Sequence, residues 1–299
     1  MTWQTDPFPT PVAIGLFGGG YVAAASGVID LVKIALAANA TNFGNLTVSR
    51  YDLAGCSSKT SGIFLGGTTG SVNNTIDLVI FSTAINATDF GDLTVSRKSL
   101  AGCGSASRGI VGGGTTGSLS SVVDYITFSL MANAASFGSL TVDRIIYGAC
   151  ASPTRGVFTG GYTTTGVNVI DFITHSTAGN ATDFGDLSVS RTGIACSSNI
   201  VGVIGGGYTG SGYSSKIDSI IIATSGNATT FGDLTVSRSA AGSCSSLIRG
   251  IWSGGDTGSN SNVIDCVAIS TTSNAVDFGD LTAARYSVTA CSNAHGGLV

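Results

Sequence analysis

The chain has 299 residues, a formal net charge of -4 and only 10% charged side chains, against 43% apolar residues and 44 glycines. So much apolar surface excludes a disordered chain, and the lack of clustered Lys and Arg excludes the electrostatic footprint of a nucleic-acid binder. The longest apolar stretch, Val28 to Ala38, is broken by Asp30 and Lys33 and is too short to span a bilayer, so no membrane insertion is expected.

The N-terminal segment from Met1 to Pro11 has neither the basic region nor the apolar core of a secretory signal. Residues 1–14 read as an N-terminal arm, and a chain without its own export signal is expected. From Gly15 the sequence repeats itself. Units begin at Gly15, Gly62, Gly109, Gly156, Gly202 and Gly250, at intervals of 46 to 48 residues. Each opens with an apolar run closed by a glycine pair, as at Gly19-Gly20 and Gly66-Gly67. An aspartate inside a β-branched run follows, at Asp30, Asp77, Asp124, Asp171, Asp218 and Asp265. Then come a phenylalanine (Phe43, Phe90, Phe137, Phe184, Phe231, Phe278) and an arginine (Arg50, Arg97, Arg144, Arg191, Arg238, Arg285). A cysteine completes the unit, at Cys56, Cys103, Cys150, Cys196, Cys244 and Cys291. Landmarks held at fixed offsets through six copies identify one supersecondary unit repeated six times.

Each unit divides into four short strands separated by Gly, Ser, Thr and Asn turn signals, and none carries an apolar stripe at helical spacing. The aspartate-bearing strand is apolar on both faces: Ile29, Ile76 and Val123 precede the Asp, and Val32, Val79 and Ile126 stand two residues after it. A sheet sandwiched between neighbouring sheets requires that pattern. Radially stacked blades supply it; an open solenoid would also need polar-faced end repeats, and neither end shows one. The chain enters on a glycine-closed strand, Gly15 to Gly19, without a cysteine-bearing partner, and leaves on a cysteine-bearing strand, Tyr286 to Ala294, without a blade of its own. Pairing the two closes a ring and removes two exposed edges. The small residues around each cysteine, such as Ala101-Gly102-Cys103, suit the innermost position, where blades converge. The expected fold is therefore all-β, a single six-bladed propeller over 15–299 with four-stranded antiparallel blades. Gly297-Leu298-Val299 resembles the start of a seventh unit that stops too soon to build one.

The chemistry-bearing residues recur with the architecture. The repeated cysteines, with Cys266 a seventh, form no C-x-x-C pair and read as buried free thiols rather than a zinc site. His175 takes a position held elsewhere by Ile34, Phe81, Phe128, Ile222 and Ile269, and reads as a core histidine; His295 sits in the last short turn. No pair of carboxylates stands apart from the repeat as glycoside hydrolysis requires, so no catalytic, metal or cofactor site is expected. The repeated arginines read as blade-corner fasteners, bonding carbonyls or a carboxylate such as Asp92 or Asp186; a ring of anion-binding groups is the alternative. Variation is concentrated in the loops after the glycine pairs, Tyr21 to Ser26, Thr68 to Asn74, Thr115 to Ser121, Tyr162 to Asn168, Tyr208 to Ser215 and Asp256 to Asn262. These should emerge on one face, with Tyr162, Tyr208, Tyr213 and Asp256 as candidate interaction residues. The sequons at Asn39, Asn86, Asn180 and Asn227 follow from the repeated turn.

The pattern resembles the kelch-type β-propeller family across residues 15–297. The resemblance rests on Gly62-Ile63-Phe64-Leu65-Gly66-Gly67, on Ile76-Asp77-Leu78-Val79-Ile80-Phe81, on Phe90 and on Arg97. The family's usual Trp in the outer strand is replaced by Phe in every copy. Closure by a C-terminal inner strand is what the resemblance implies. The string running from Asn86 to Arg97, repeated from Asn180 to Arg191 with Ser188, is similar to divergent kelch-like proteins of tailed bacteriophages, which implies a non-enzymatic virion or tail-associated component bound to other assembly proteins. A carbohydrate-binding module recognising surface glycans is the alternative. The expected location is the virion, or otherwise the cytoplasm.

Overall fold

Runs of β-branched and aromatic residues punctuated by glycine and serine become 24 strands in the computed structural model, which describes residues 12–298. They form six four-stranded antiparallel sheets arranged as a propeller. In each blade the cysteine-bearing strand is innermost, followed outward by the glycine-closed, aspartate-bearing and phenylalanine-bearing strands; in blade 2 these are Ala54–Ser57, Ser61–Leu65, Thr75–Ile80 and Thr88–Asp92. Blade 1 is composite. Its innermost strand is the last of the chain, Thr289–Ser292, paired with the first, Ile14–Gly18, in register from Gly15↔Ser292 to Gly18↔Thr289. The C-terminal strand thus closes the ring, an architecture consistent with kelch-like propellers in general. Of the N-terminal segments considered above, residues 1–11 lie outside the described residues, as does Val299.

Antiparallel order sorts the connections onto two faces. The glycine-pair loops share one face, the loop face, with the connectors that carry each repeated arginine into the next blade; backbone bridges such as Tyr51↔Thr68 and Ser239↔Asp256 join them there. Turns following the innermost strands and hairpins between the third and outer strands share the opposite face.

Packing between blades explains most repeated residues. On the third strand, Ile29 is fully buried on one side of the sheet and Val32 is 2% exposed on the other. The outer strand carries a β-bulge opposite each aspartate, so that Ile76 pairs with Gly91 and Asp77 with Asp89, with Phe90 between them. A bulge re-aims a side chain, and here Phe90 is turned into the core shared with blade 3. The glycine that opens each unit receives a thiol from the preceding blade: a Cβ at Gly109 would stand 2.5 Å from Cys56 Sγ, and one at Gly62 2.8 Å from Cys291 Sγ. The cysteines are therefore interlocking knobs between blades.

A buried ion pair crosses every blade interface. Arg50 Nη1 lies 3.0 Å from Asp77 Oδ2, Arg97 Nη2 2.8 Å from Asp124 Oδ2, and Arg285 Nη2 3.1 Å from Asp30 Oδ2; Arg144–Asp171, Arg191–Asp218 and Arg238–Asp265 complete the set. All twelve side chains are fully buried. Each carboxylate also accepts a backbone N–H or hydroxyl from the connector bearing its arginine, as from Thr141 N (3.2 Å) and Thr141 Oγ1 (2.5 Å) to Asp171, and the guanidinium donates to carbonyls such as Phe64 O. The fastening role stands, but the carboxylate partner is corrected. It is the repeated aspartate of the following blade, not Asp92 or Asp186, which lie on outer strands. Those outer strands are capped by asparagines instead. Asn86 Oδ1 accepts from Asn45 N at 3.0 Å, and Asn39, Asn133, Asn180, Asn227 and Asn274 repeat the bond around the ring.

Candidate interaction face

The propeller axis is closed at both ends. Just past each cysteine stands Ser57, Gly104, Ala151, Ser197, Ser245 or Ser292. Each serine Oγ donates to the carbonyl of the equivalent residue in the preceding blade: Ser57 to Ser292 at 2.7 Å, Ser292 to Ser245 at 2.6 Å, Ser245 to Ser197 at 2.7 Å and Ser197 to Ala151 at 2.8 Å. Gly104 and Ala151 have no hydroxyl to continue the ring. There the C-terminal turn Gly296–Leu298 packs in, its glycine backbone against the carbonyls of Gly104, Ala151 and Ser198 too closely for any side chain. His295 Nε2 lies 3.1 Å from Ser57 O, replacing the hydroxyl missing at Gly104, while Nδ1 accepts from Gly297 N at 3.1 Å. That pair of bonds specifies the neutral imidazole protonated on Nε2, and burial lowers the His295 pKa to about 4. The last residues are thus a plug rather than the start of a further unit.

At the loop-face end, Tyr147 occupies the position held by Leu53, Leu100, Ile194, Ala241 and Val288 elsewhere. Its hydroxyl stands 3.3 Å from Asp52 Oδ1 and 3.1 Å from Ser99 Oγ, and burial pushes its pKa upward. Around it the connectors form a belt: Ser287 N donates to Ala240 O, Asp52 N to Ser287 O, Ser99 N to Asp52 O and Ile146 N to Ser99 O. Asp52, Ser99, Ala240 and Ser287 adopt positive φ (57°, 57°, 49° and 54°) to aim these amides. Between plug and cap remains a cavity of about 50 Å³ lined by the cysteine-bearing strands and His295, far below the several hundred Å³ of an ordinary small-molecule site.

The variable chemistry lies on the loop face. In each blade the residue after the glycine pair bonds the residue after the connector arginine, giving the couples Tyr21/Tyr286, Thr68/Tyr51, Thr115/Lys98, Tyr162/Ile145, Tyr208/Thr192 and Asp256/Ser239. One backbone frame thereby displays six different pairs of side chains. From blade 5 through blades 6 and 1 to the blade 2 connector these loops are laced to one another. Tyr208 and Tyr213 have ring centroids 6.0 Å apart, and Tyr213 Oη donates to Asp256 Oδ2 at 2.7 Å, which raises the Tyr213 pKa. Asn260 Nδ2 donates to Val22 O at 2.8 Å. Tyr21 packs against Tyr286 at 5.4 Å and edge-on against Tyr51 at 5.1 Å. Tyr21 is the shared ring of these contacts, and burial first, then the proximity of Tyr21, Asp52, Tyr51 and Asp256, raises the Tyr286 pKa. In blades 2 and 3 the loops are closed locally, by Thr68 Oγ1 to Ser71 O and Thr115 Oγ1 to Ser118 O.

Of the candidate residues, Tyr208, Tyr213 and Asp256 come together in this crescent. Tyr162 does not. It belongs to blade 4, where the segment read as a loop continues the hairpin, Tyr162 pairing with Gly166. Tyr51, Tyr286 and the contact between Tyr21 and both were not foreseen, because two of the three rings sit on connectors rather than on glycine-pair loops.

His175 is 3% exposed between blades 3 and 4, its ring nitrogens have no hydrogen-bond partner, and burial lowers its pKa to about 4. All seven cysteines are free and buried, and burial raises their pKa values, that of Cys150 to about 12. Among the described residues no group of three or more His, Cys, Asp or Glu is placed to hold a metal ion, and no helix is long and apolar enough to cross a membrane. No protein-family model matches the chain, and no curated protein matches it in sequence.

Proposed function

We propose that the chain is a non-enzymatic structural and interaction component of a larger assembly, a phage virion on the reading that its Asn86–Arg97 string supports, seated by one propeller face and presenting the other. The observation that carries the proposal is the contrast between the two faces. On the face opposite the loops, large apolar side chains stand in solvent in five of the six blades' turns and hairpins: Leu36, Ile85, Leu130, Met131, Ile200 and Ile248, with Met131 and Ile248 both 66% exposed. Apolar side chains distributed around one face of a weakly charged ring suit burial against another protein. Among the described residues the loop face exposes only the smaller Val22, Val48, Val95, Val189 and Val236, at 40–46%, beside the laced crescent.

The test is association. Wild-type protein should co-sediment with its particles and self-associate or capture particle proteins, and Met131→Glu with Ile248→Glu should abolish this while the fold persists by circular dichroism. A chain that stays monomeric, never accompanies particles and is indifferent to these substitutions refutes the proposal. A second reading, a carbohydrate-binding module for host-surface recognition, is favoured by the tyrosine cluster of Tyr21, Tyr51 and Tyr286.

A further inference from the structure

We propose that Tyr21, Tyr51 and Tyr286, with Asp52 and the Tyr147 hydroxyl, form a subsite for a neutral sugar at the loop-face mouth of the axis. This deepens the carbohydrate reading above and rests on the loop face being the working face.

Three observations converge on this position. First, the Tyr21 ring packs against both Tyr51 and Tyr286 although these residues come from a loop and two connectors, so the aromatic surface is assembled only by ring closure: Tyr286 is on the last connector, Tyr21 on the first loop and Tyr51 on the first connector. Each ring is partly exposed. Rings already held by neighbours lose little conformational entropy on binding, and their C–H-attracting faces suit the apolar side of a pyranose.

Second, polar groups stand beside the aromatic surface. Asp52 follows Tyr51 directly, and its amide is bonded to Ser287 O, next to Tyr286, at 3.3 Å. Its carboxylate is held by Tyr147 Oη at 3.3 Å, and Tyr147 Oη also meets Ser99 Oγ. The single Tyr147 proton is taken by Asp52 or Ser99, so carboxylate and phenol both present acceptor lone pairs, which adjacent sugar hydroxyls can satisfy by donating. The left-handed conformation of Asp52, φ 57°, fixes where its side chain projects.

Third, the site selects by charge. The Asp52 amide bonds Ser287 O beside Tyr286, and Asp256 bridges Asn260, whose side-chain amide donates to Tyr21 O, so a sialic acid, uronate or sulfate would meet negative charge here. The ligand class is a neutral hexose or a glycan terminating in one. The rest of the crescent, Tyr208 and Tyr213, lies one to two blades away and extends the surface for further sugar units.

The experiment is a glycan array carrying neutral, sialylated and sulfated glycans, followed by calorimetry with the retained glycan. Wild type should retain neutral glycans only. Tyr51→Ala and Tyr21→Ala should weaken binding at least tenfold, Tyr51→Phe should keep most of it, and Tyr162→Ala, on the same face but outside the cluster, should leave it unchanged; melting curves report whether each variant is folded. No retention of neutral glycans by folded wild type overturns the proposal, as does binding that survives Tyr51→Ala and Tyr21→Ala together. If glycans are not bound but captured particle proteins are lost on substituting Tyr21 and Tyr51, the sugar site fails and the loop face remains the working face. If neither binding responds to those substitutions, both fail.

Discussion

Replacing His175 by isoleucine should make the protein more stable and less sensitive to acid. His175 has a pKa lowered from 6.5 to about 4 by burial. Because the folded-state value is depressed, folding favours the neutral imidazole. The stability is intact above pH 6.5, falls as pH drops from 6.5 towards 4, and falls no further from this group below that. A gap of about 2.5 units at ~1.4 kcal/mol each amounts to ~3 kcal/mol when fully expressed, of which about 2 kcal/mol is lost by pH 5. Ile34, Ile222 and Ile269 occupy the same position in other blades and are buried, so the pocket is built for such a side chain. Removing an imidazole whose nitrogens lack partners should add about 1–3 kcal/mol at pH 7. Urea unfolding followed by the fluorescence of buried Trp252, at pH values from 7.5 to 4.5, measures both effects. The gap between variant and wild type should widen by about 2 kcal/mol between pH 7 and pH 5. His295, whose pKa is likewise about 4, supplies a similar acid sensitivity that both proteins retain. Parallel stability profiles for the two proteins would refute the assignment of a neutral, desolvated His175.

Three other outcomes are expected. Asp124→Leu strands the buried Arg97 guanidinium and should cost about 3–5 kcal/mol, whereas adding Arg97→Met should restore most of it; thermal melts of the single and double variants decide this. Gly109→Ala places a methyl 2.5 Å from Cys56 Sγ and should cost about 1–3 kcal/mol by overpacking, with at least half regained in a Cys56→Ala background, measured by the same melts. A thiol reagent at pH 8 should leave the native protein unmodified and titrate all seven cysteines only in denaturant, since buried thiols with raised pKa values carry almost no thiolate.

The repeat length, the strand order and the closure of the ring were all legible in the sequence, because each rests on residue types recurring at one interval. Which partner each residue meets was not. In a repeat of near-constant period, Asp30 and Asp77 stand equally regularly on either side of Arg50, so spacing alone cannot say whether an arginine pairs within its unit or with the next one. The answer depends on connectors crossing from one blade to its neighbour, and it is the following blade in all six cases. The tyrosine cluster escaped for a similar reason. Tyr51 and Tyr286 each follow a repeated arginine, where other units have Lys98, Ile145, Thr192 and Ser239, and that departure was a usable signal; only the knowledge that connectors and glycine-pair loops share a face turns it into a site. His295 was placed in a terminal turn, but its role depends on the two missing hydroxyls at Gly104 and Ala151, a deficit visible only once the inner strands are arranged about an axis.

The weak surface charge now has a structural cause. Of 13 basic residues in the chain, six are the arginines buried at blade interfaces, each neutralised by an aspartate across the interface. Buried pairs are screened little by salt, so ionic strength should scarcely touch the joints between blades. The same arrangement removes nearly half of the positive charge from the surface without changing the net charge. What remains outside is mainly hydroxyl, amide and apolar, and such a surface opposes close approach of another protein with little electrostatic repulsion. The repeated residues are consumed in holding neighbouring blades together, and the axis is filled by Tyr147 at one end and Gly296–Leu298 at the other. Chemistry that varies from blade to blade is therefore confined to positions the repeat leaves free, and on the loop face these are the paired residues that follow the glycine pairs and the connector arginines.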